Sequence, residues 1–149
     1  MLKKFSLVFA MIFGFAVLSR AEPDPAMSDA HIAEVVMTAN EAEITAGKLA
    51  EKKATDPAVK NFASQMVSQH RENLKNGTAV TKRAGIRPVD HTAADMLEKD
   101  AETKTNALKD LEGHAFDRGY ITQQVAMHEV LLKDLDTKYI PNAKNAEFK

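Results

Sequence analysis

Apolar residues recur along most of the chain at steps of three and four, which is the spacing of one face of an α-helix. Apolar and polar residues do not alternate over any stretch of strand length, so the pattern predicts no β-strand. The repeats and the breaks between them predict four helices, over residues 30–53, 57–84, 93–111 and 116–139. Because their connections are short, consecutive helices are expected to be antiparallel neighbours. The sequence therefore predicts an all-α, antiparallel up-and-down four-helix bundle.

The predicted helix ends carry residues that typically begin or end helices. Ser28 or Asp29 can cap the first helix, and Asp56 followed by Pro57 is a strong start for the second. Two glycines are predicted to end helices, the second helix at Gly85 and the third at Gly113.

The buried face of the fourth helix is predicted from one row of large apolar side chains. The row consists of Phe116, Ile121, Val125, Leu132, Leu135 and Tyr139. Gln124 and His128 lie on or beside this row, where a helix that packs against a core normally carries apolar residues.

Two other polar residues interrupt apolar rows near the middle of their helices, Glu43 in the first helix and His70 in the second. The first hairpin folds near Thr55, so Glu43 lies 12 residues before the turn and His70 lies 15 residues after it. At about 1.5 Å of rise per residue, the two differ in height by about 4–5 Å. His128 lies about 14 residues beyond the second turn. The spacing thus predicts that Glu43, His70 and His128 meet at one level.

A carboxylate and two imidazoles inside a helical bundle are ligands of the kind that build metal sites. Gln124 and Met66 each lie four residues from one of the histidines and share its helix face. Methionine beside imidazole favours copper over magnesium or calcium, with zinc and iron as the other transition metals to consider. The first interpretation is therefore a metal site formed by Glu43, His70 and His128, with Gln124 and Met66 nearby.

The second interpretation is a buried polar plug that binds nothing. Glu43 would pair with one histidine and Gln124 with the other. Mutual hydrogen bonds are sufficient to keep polar groups in a core. In that case the protein is a structural or protein-interaction bundle, and the polar residues only fix the helix register.

An enzyme finds less support. A di-iron site asks for Glu-x-x-His on two helices, but Val67 and Val125 stand three residues before the two core histidines. The chain has no cysteine, and no serine has a histidine and an aspartate placed beside it. The sequence therefore disfavours a ferritin-like redox enzyme, and the leading hypothesis is a non-catalytic binding or stress-related envelope protein.

Residues 1–21 have the features of a secretory signal peptide. Lys3 and Lys4 precede an apolar run over 5–18, and Ser19-Arg20-Ala21 predicts cleavage after Ala21. That run is shorter than the ~20 apolar residues of a membrane-spanning helix. We therefore expect a periplasmic or secreted protein without a membrane span after cleavage, with an extended leader over 22–29 and a bundle domain over 30–149.

The charge of the chain bears on its partners. The formal net charge is −1, and removal of the three basic residues of the signal peptide makes it −4. A mildly acidic protein without a basic patch is poorly suited to bind nucleic acid. We therefore expect no nucleic-acid partner.

Two groups of motifs in the chain resemble the DUF4142 family of exported bacterial proteins over about residues 30–149. The motifs are Ala42-Glu43, Gly47-Lys48-Leu49-Ala50, Val59-Lys60-Asn61-Phe62-Ala63, Met66-Val67 with His70, Phe116-Asp117-Arg118-Gly119-Tyr120, and Gln124-Val125 with His128. The resemblance implies a ferritin-like helical bundle of unknown function. It also places Glu43, His70, Gln124 and His128 on recurrent polar positions of the family, which implies a shared structural or ligating role.

Two departures from the family pattern matter. The family usually has an aspartate before the histidine of the second helix, whereas this chain has Gln69, so a carboxylate that would orient His70 is absent. Family members also usually continue into a last helix that carries another histidine, whereas this sequence ends at Lys149, so either that helix is lost or the sequence is incomplete. Without that helix we expect apolar surface to be uncovered, which favours a homodimer.

Overall fold

The computed structural model describes residues 27–149, so the predicted signal peptide and most of the predicted leader lie outside the described residues. Four long helices follow one another: α1 (Asp29–Lys53), α2 (Pro57–Arg83), α3 (Thr92–Lys109) and α4 (Gly113–Asp134). A π-helical turn (Leu135–Tyr139) and the short helix α5 (Ile140–Asn142) continue α4. Residues 27–149 contain no strand, and the prediction of an all-α four-helix bundle is confirmed.

The predicted caps of α1 and α2 are confirmed. The Ser28 hydroxyl accepts a hydrogen bond from the His31 N–H at 3.3 Å and so caps α1. Asp56 caps α2 by accepting from the Ala58 N–H at 2.7 Å. Gly85 follows the last turn of α2 with φ +69°, and this left-handed conformation is one that glycine adopts without strain.

Gly113 has a different role from the predicted one. α3 already ends at Lys109, and Gly113, with φ +56°, is the first residue of α4 rather than the end of α3. The chain folds back over residues 110–112, where the Leu111 N–H bonds to the Leu108 carbonyl. A left-handed residue is therefore needed where the chain enters α4, and glycine supplies it.

The helices alternate in direction, but their order around the bundle is not sequential. α1 is central and packs against α2, α3 and α4. It runs parallel to α3: the Lys53 ammonium donates to the Lys109 carbonyl at one end, and the His31 and His91 rings lie 4.7 Å apart at the other. The expectation that consecutive helices are neighbours is wrong for α2 and α3, which do not pack side by side. Their eight-residue connection, residues 84–91, instead passes the start of α1, where the Val89 N–H donates to the Ala30 carbonyl.

The core has an apolar cluster near each end of the bundle. One contains Ala46, Ala50, Ala54, Ala63, Leu108, Phe116 and Tyr120. The other contains Met27, Ile32, Val35, Ala94 and Tyr139. Along α1, Glu43 lies between these two clusters. The polar level predicted from the sequence thus lies between two apolar layers.

The predicted buried face of α4 is partly wrong. Val125 and Leu132 are 54% and 59% exposed, whereas Gln123 and Gln124 are buried. The prediction placed Gln124 on or beside the row but left out Gln123, because glutamines are mostly exposed in proteins. Here the face that carries the glutamines turns inward, since it includes Tyr120, which is fully buried.

Asp117 ties α4 to the turn between α1 and α2. Its carboxylate accepts from the Thr55 N–H at 3.0 Å, the Thr55 hydroxyl at 2.7 Å and the Asp56 N–H at 3.0 Å. These bonds, led by that of the Thr55 hydroxyl, lower the pKa of Asp117. Asp117 therefore sets where α4 begins relative to α1, and with it the height of His128.

Candidate functional site

Glu43, His70 and His128 lie together, at the level that the helix spacing predicts. Glu43 is fully buried in the middle of α1, and the two histidines, from α2 and α4, are partly buried. The ring centroids of His70 and His128 are 5.9 Å apart, with the rings edge to face at 71°. His128 Nδ1 lies 3.8 Å from Glu43 Oε1. Three helices therefore contribute to one polar cluster.

The Nδ1 atom of His70 is fixed by Asn40. The Asn40 amide nitrogen donates to the Val36 carbonyl at 2.7 Å, which leaves Asn40 Oδ1 directed at His70 Nδ1, 2.9 Å away. Because an amide oxygen only accepts hydrogen bonds, His70 Nδ1 must carry the proton. The lone pair of the neutral ring is therefore on Nε2.

The His128 ring is held in the same tautomer. Its Nδ1 lies 2.9 Å from the backbone carbonyl oxygen of Gln124, one turn earlier in α4. A carbonyl oxygen also only accepts, so Nδ1 of His128 donates and its Nε2 carries the lone pair. Both core imidazoles thus leave Nε2 as the nitrogen that can bind a ligand.

The sequence analysis did not identify Asn40, which orients His70 in place of the carboxylate that Gln69 replaces. Gln69 is exposed, and the group that orients His70 comes from α1 rather than from its own helix. The sequence contains one indication of this role: Asn40 lies three residues before Glu43, so the two residues occupy the same face of α1.

The Glu43 carboxylate has no hydrogen-bond partner of standard geometry among residues 27–149. The side chain of Gln124 lies beside it, and within the described part of the chain the Gln124 amide and the Tyr120 hydroxyl also form no hydrogen bond of standard geometry. Burial raises the pKa of Glu43, and the nearby Gln124 and His128 oppose this rise only in part. Burial, together with the charges of Glu43 and Glu51, also raises the pKa of Tyr120.

The His70 ring is held neutral by its surroundings. Burial lowers the pKa of His70, and the neighbouring His128 lowers it further because two positive rings would repel each other. A neutral imidazole is the form that binds metals. The lone pair of His70 Nε2 is therefore available at neutral pH.

Comparison with known families identifies the chain. The model of DUF4142, a domain of unknown function, matches residues 16–149. The chain belongs to the DUF4142 family. This match confirms the resemblance seen in the sequence motifs, and the family description assigns no activity. Neither the curated proteins nor the solved structures give a significant match. None of the described helices of this DUF4142 protein is long and apolar enough to cross a membrane.

The arrangement of Glu43, His70 and His128 in this DUF4142 protein fits a site made of two imidazoles better than a site with three ligands. Over residues 27–149, no three histidine, cysteine, aspartate or glutamate side chains are arranged around a common point that would hold a metal ion. Glu43 faces the Nδ1 side of His128, away from the nitrogen that carries the lone pair. Met66 is buried one turn before His70, and Gln124 lies beside Glu43. The Glu43 carboxyl group thus lies on the side of the His128 ring that is away from Nε2.

We expect Glu43→Gln to stabilise the metal-free protein by about 1–3 kcal/mol at pH 8, because it replaces a buried carboxylate whose burial Gln124 and His128 offset only in part. Because the pKa of this carboxyl group is raised in the folded state, the protein has its full stability below the ordinary pKa of about 4.3. It loses that stability as the pH rises through the pKa of the group in the folded state. The advantage of the variant should therefore be near zero at pH 4 and should grow with pH.

Urea unfolding of both proteins between pH 4 and pH 9 measures this difference. Glu41→Gln, an exposed position two residues earlier in α1, makes the same change in net charge and is the matched control. A Glu43→Gln advantage that is independent of pH, or equal to that of the control, would contradict the expectation.

Proposed function

We propose that this DUF4142 protein is an exported, non-catalytic protein of the bacterial envelope that binds one transition-metal ion through Nε2 of His70 and Nε2 of His128. The signal-like sequence over residues 1–21 supports export. The observation that carries metal binding is that both rings donate Nδ1–H to an oxygen, Asn40 Oδ1 and the Gln124 carbonyl. Metal-ligating histidines nearly always donate their second ring nitrogen in this way, which orients the ring and raises its basicity.

The donors also indicate which metals fit. Imidazole nitrogen suits copper, zinc, iron and nickel, and for a given nitrogen site divalent copper generally binds most tightly. A bound ion would supply a Lewis acid whose positive charge lies near the buried carboxylate of Glu43. The role of Glu43 is to offset that charge, a stronger effect in the core than in water because the local dielectric is lower.

The polar-plug alternative also has an observation in its favour. Asn40 and the Gln124 carbonyl already give each histidine one hydrogen bond, which is part of what a plug requires. The Gln124 side chain also lies beside the Glu43 carboxyl group and lowers its pKa as a hydrogen-bond donor would, but the contact falls short of standard geometry. A plug that is meant only to fix helix register would be expected to pair these groups closely.

The test uses protein recovered from the periplasmic fraction, where export predicts Glu22 as the first residue. After treatment with a chelator, the protein is dialysed against Cu(II), Zn(II), Fe(II) and Mn(II) in turn. We expect one Cu(II) or Zn(II) ion per chain, with a rise in Tm because the ion binds only the folded state. No stoichiometric binding and no rise in Tm with any of the four would leave the polar plug as the explanation.

A further inference from the structure

A groove of about 420 Å³ runs between the parallel helices α1 and α3, whereas the two core histidines belong to α2 and α4. Within the described part of the chain, four charged residues line it: Glu41 from α1, and Glu98, Glu102 and Lys109 from α3. None of the three glutamates forms an ion pair with another residue of 27–149. The groove therefore carries an excess of negative charge that the described chain does not neutralise.

The three carboxylates are spread along the groove. The contacts between α1 and α3 at the two ends of the bundle place Glu41 level with about residue 99, between Glu98 and Glu102. Glu98 and Glu102 are one turn apart, about 6 Å along the helix at about 1.5 Å per residue. Over residues 27–149, no three carboxylates surround a common point that would hold a metal ion. An extended cation with more than one positive group matches this arrangement better than a metal ion does.

Thr105 contributes an unused hydrogen-bonding group to the wall of the groove. The residue is only 7% exposed, and it lines the groove. The hydroxyls of Thr45 and Thr103 donate to the carbonyl four residues earlier in their helices, but the Thr105 hydroxyl forms no hydrogen bond with any described residue. Polar side chains that are buried to this extent nearly always have a partner. The Thr105 hydroxyl is therefore available to a ligand in the groove.

We propose that this groove binds a linear aliphatic diamine, with its ammonium groups on the carboxylates and its methylene chain over Ala42 and Ala101. The two ammonium groups of 1,4-diaminobutane are five bonds apart, about 6 Å at about 1.2 Å per bond, which equals the spacing of Glu98 and Glu102. Thr105 lies three residues after Glu102 on the same face of α3, so one ammonium group can donate to its hydroxyl as well.

The experiment titrates isotope-labelled protein from the periplasmic fraction, treated with a chelator, with 1,4-diaminobutane at low ionic strength. We expect one molecule bound per chain, with saturable shifts of amide resonances concentrated in the parts of α1 and α3 that line the groove. The affinity should fall as salt is added, because the charges of an open groove are screened. 1-Aminobutane, which has one ammonium group on the same carbon chain, should bind at least tenfold more weakly.

Replacing Glu98 and Glu102 together by glutamine separates binding from folding. The double variant should bind 1,4-diaminobutane at least tenfold more weakly than the wild type. Its Tm without diamine should not fall, because the change removes the repulsion between like charges one turn apart. The matched control replaces Glu72 and Glu129, exposed glutamates of α2 and α4, by glutamine and should bind like the wild type.

Thr105→Val tests the hydroxyl without a change of charge. It should weaken binding about threefold through the loss of one hydrogen bond, whereas Thr103→Val, at an exposed position of the same helix, should have no effect. The absence of saturable shifts, or shifts centred outside α1 and α3, would overturn the proposal. Equal affinity within either matched pair of variants, or equal affinity for the diamine and 1-aminobutane, would overturn it as well.

Discussion

Alanine at either His70 or His128 should lower the affinity for Cu(II) by at least about 100-fold. In the proposed site each imidazole would supply one of two protein ligands, and loss of even an outer group that orients a ligand typically costs 10–100-fold in metal affinity. The fold should persist, because the two rings are only partly buried. His70→Ala leaves Asn40 Oδ1 without its partner, and we expect this to destabilise the protein by about 1–3 kcal/mol.

Competition with a chelator of known affinity measures the change in binding, and thermal unfolding shows that each variant is folded. His114→Ala is the matched control, since the His114 side chain is 86% exposed and lies in the first turn of α4. Its affinity should equal that of the wild type. If His70→Ala or His128→Ala binds Cu(II) as tightly as His114→Ala does, the ion is bound elsewhere.

Gly47→Val should lower the free energy of unfolding by about 3 kcal/mol, the upper part of the usual range for an overpacked core. A Cβ at Gly47 would lie 2.7 Å from Val67 Cγ2 and 3.3 Å from the Ala63 carbonyl oxygen. The carbonyl belongs to the backbone of α2 and the Val67 side chain is short and buried, so neither can swing away. The β-branched side chain would therefore push α1 and α2 apart next to the level of Glu43.

Urea unfolding of three glycine variants tests this packing. Gly77→Ala should be more stable than the wild type, since the space around that position is open. Gly119→Ala should cost less than Gly47→Val, because its close neighbours are the ends of two flexible side chains, Leu108 and Leu111. A Gly47→Val protein within about 0.5 kcal/mol of the wild type would show that α1 and α2 do not pack this closely.

Local features of this fold were predictable because each has a local cause. Ser28 and Asp56 cap helices through bonds to residues two or three positions away, so sequence spacing is enough to locate them. The common level of Glu43, His70 and His128 follows from helix rise and the position of the turns. Membership of the DUF4142 family was likewise recognisable from motifs in the sequence.

The remaining features depend on contacts between distant parts of the chain. The parallel pairing of α1 and α3 arises because residues 84–91 can pass the start of α1, which helix periodicity does not encode. The role of Asn40 depends on the rotation of α1 about its axis relative to α2. The inward face of α4 was predicted only in part, because Gln123 is buried in spite of the usual exposure of glutamines.

Pulsed electron paramagnetic resonance of the Cu(II)-loaded protein tests the proposed site most directly, because the modulation from the remote ring nitrogen counts the imidazoles bound to the ion. Two bound imidazoles are expected, each with a protonated remote Nδ1, and one should remain in His70→Ala or His128→Ala. Fewer than two imidazoles in the wild type, or a spectrum unchanged by both substitutions, would contradict metal binding by this histidine pair.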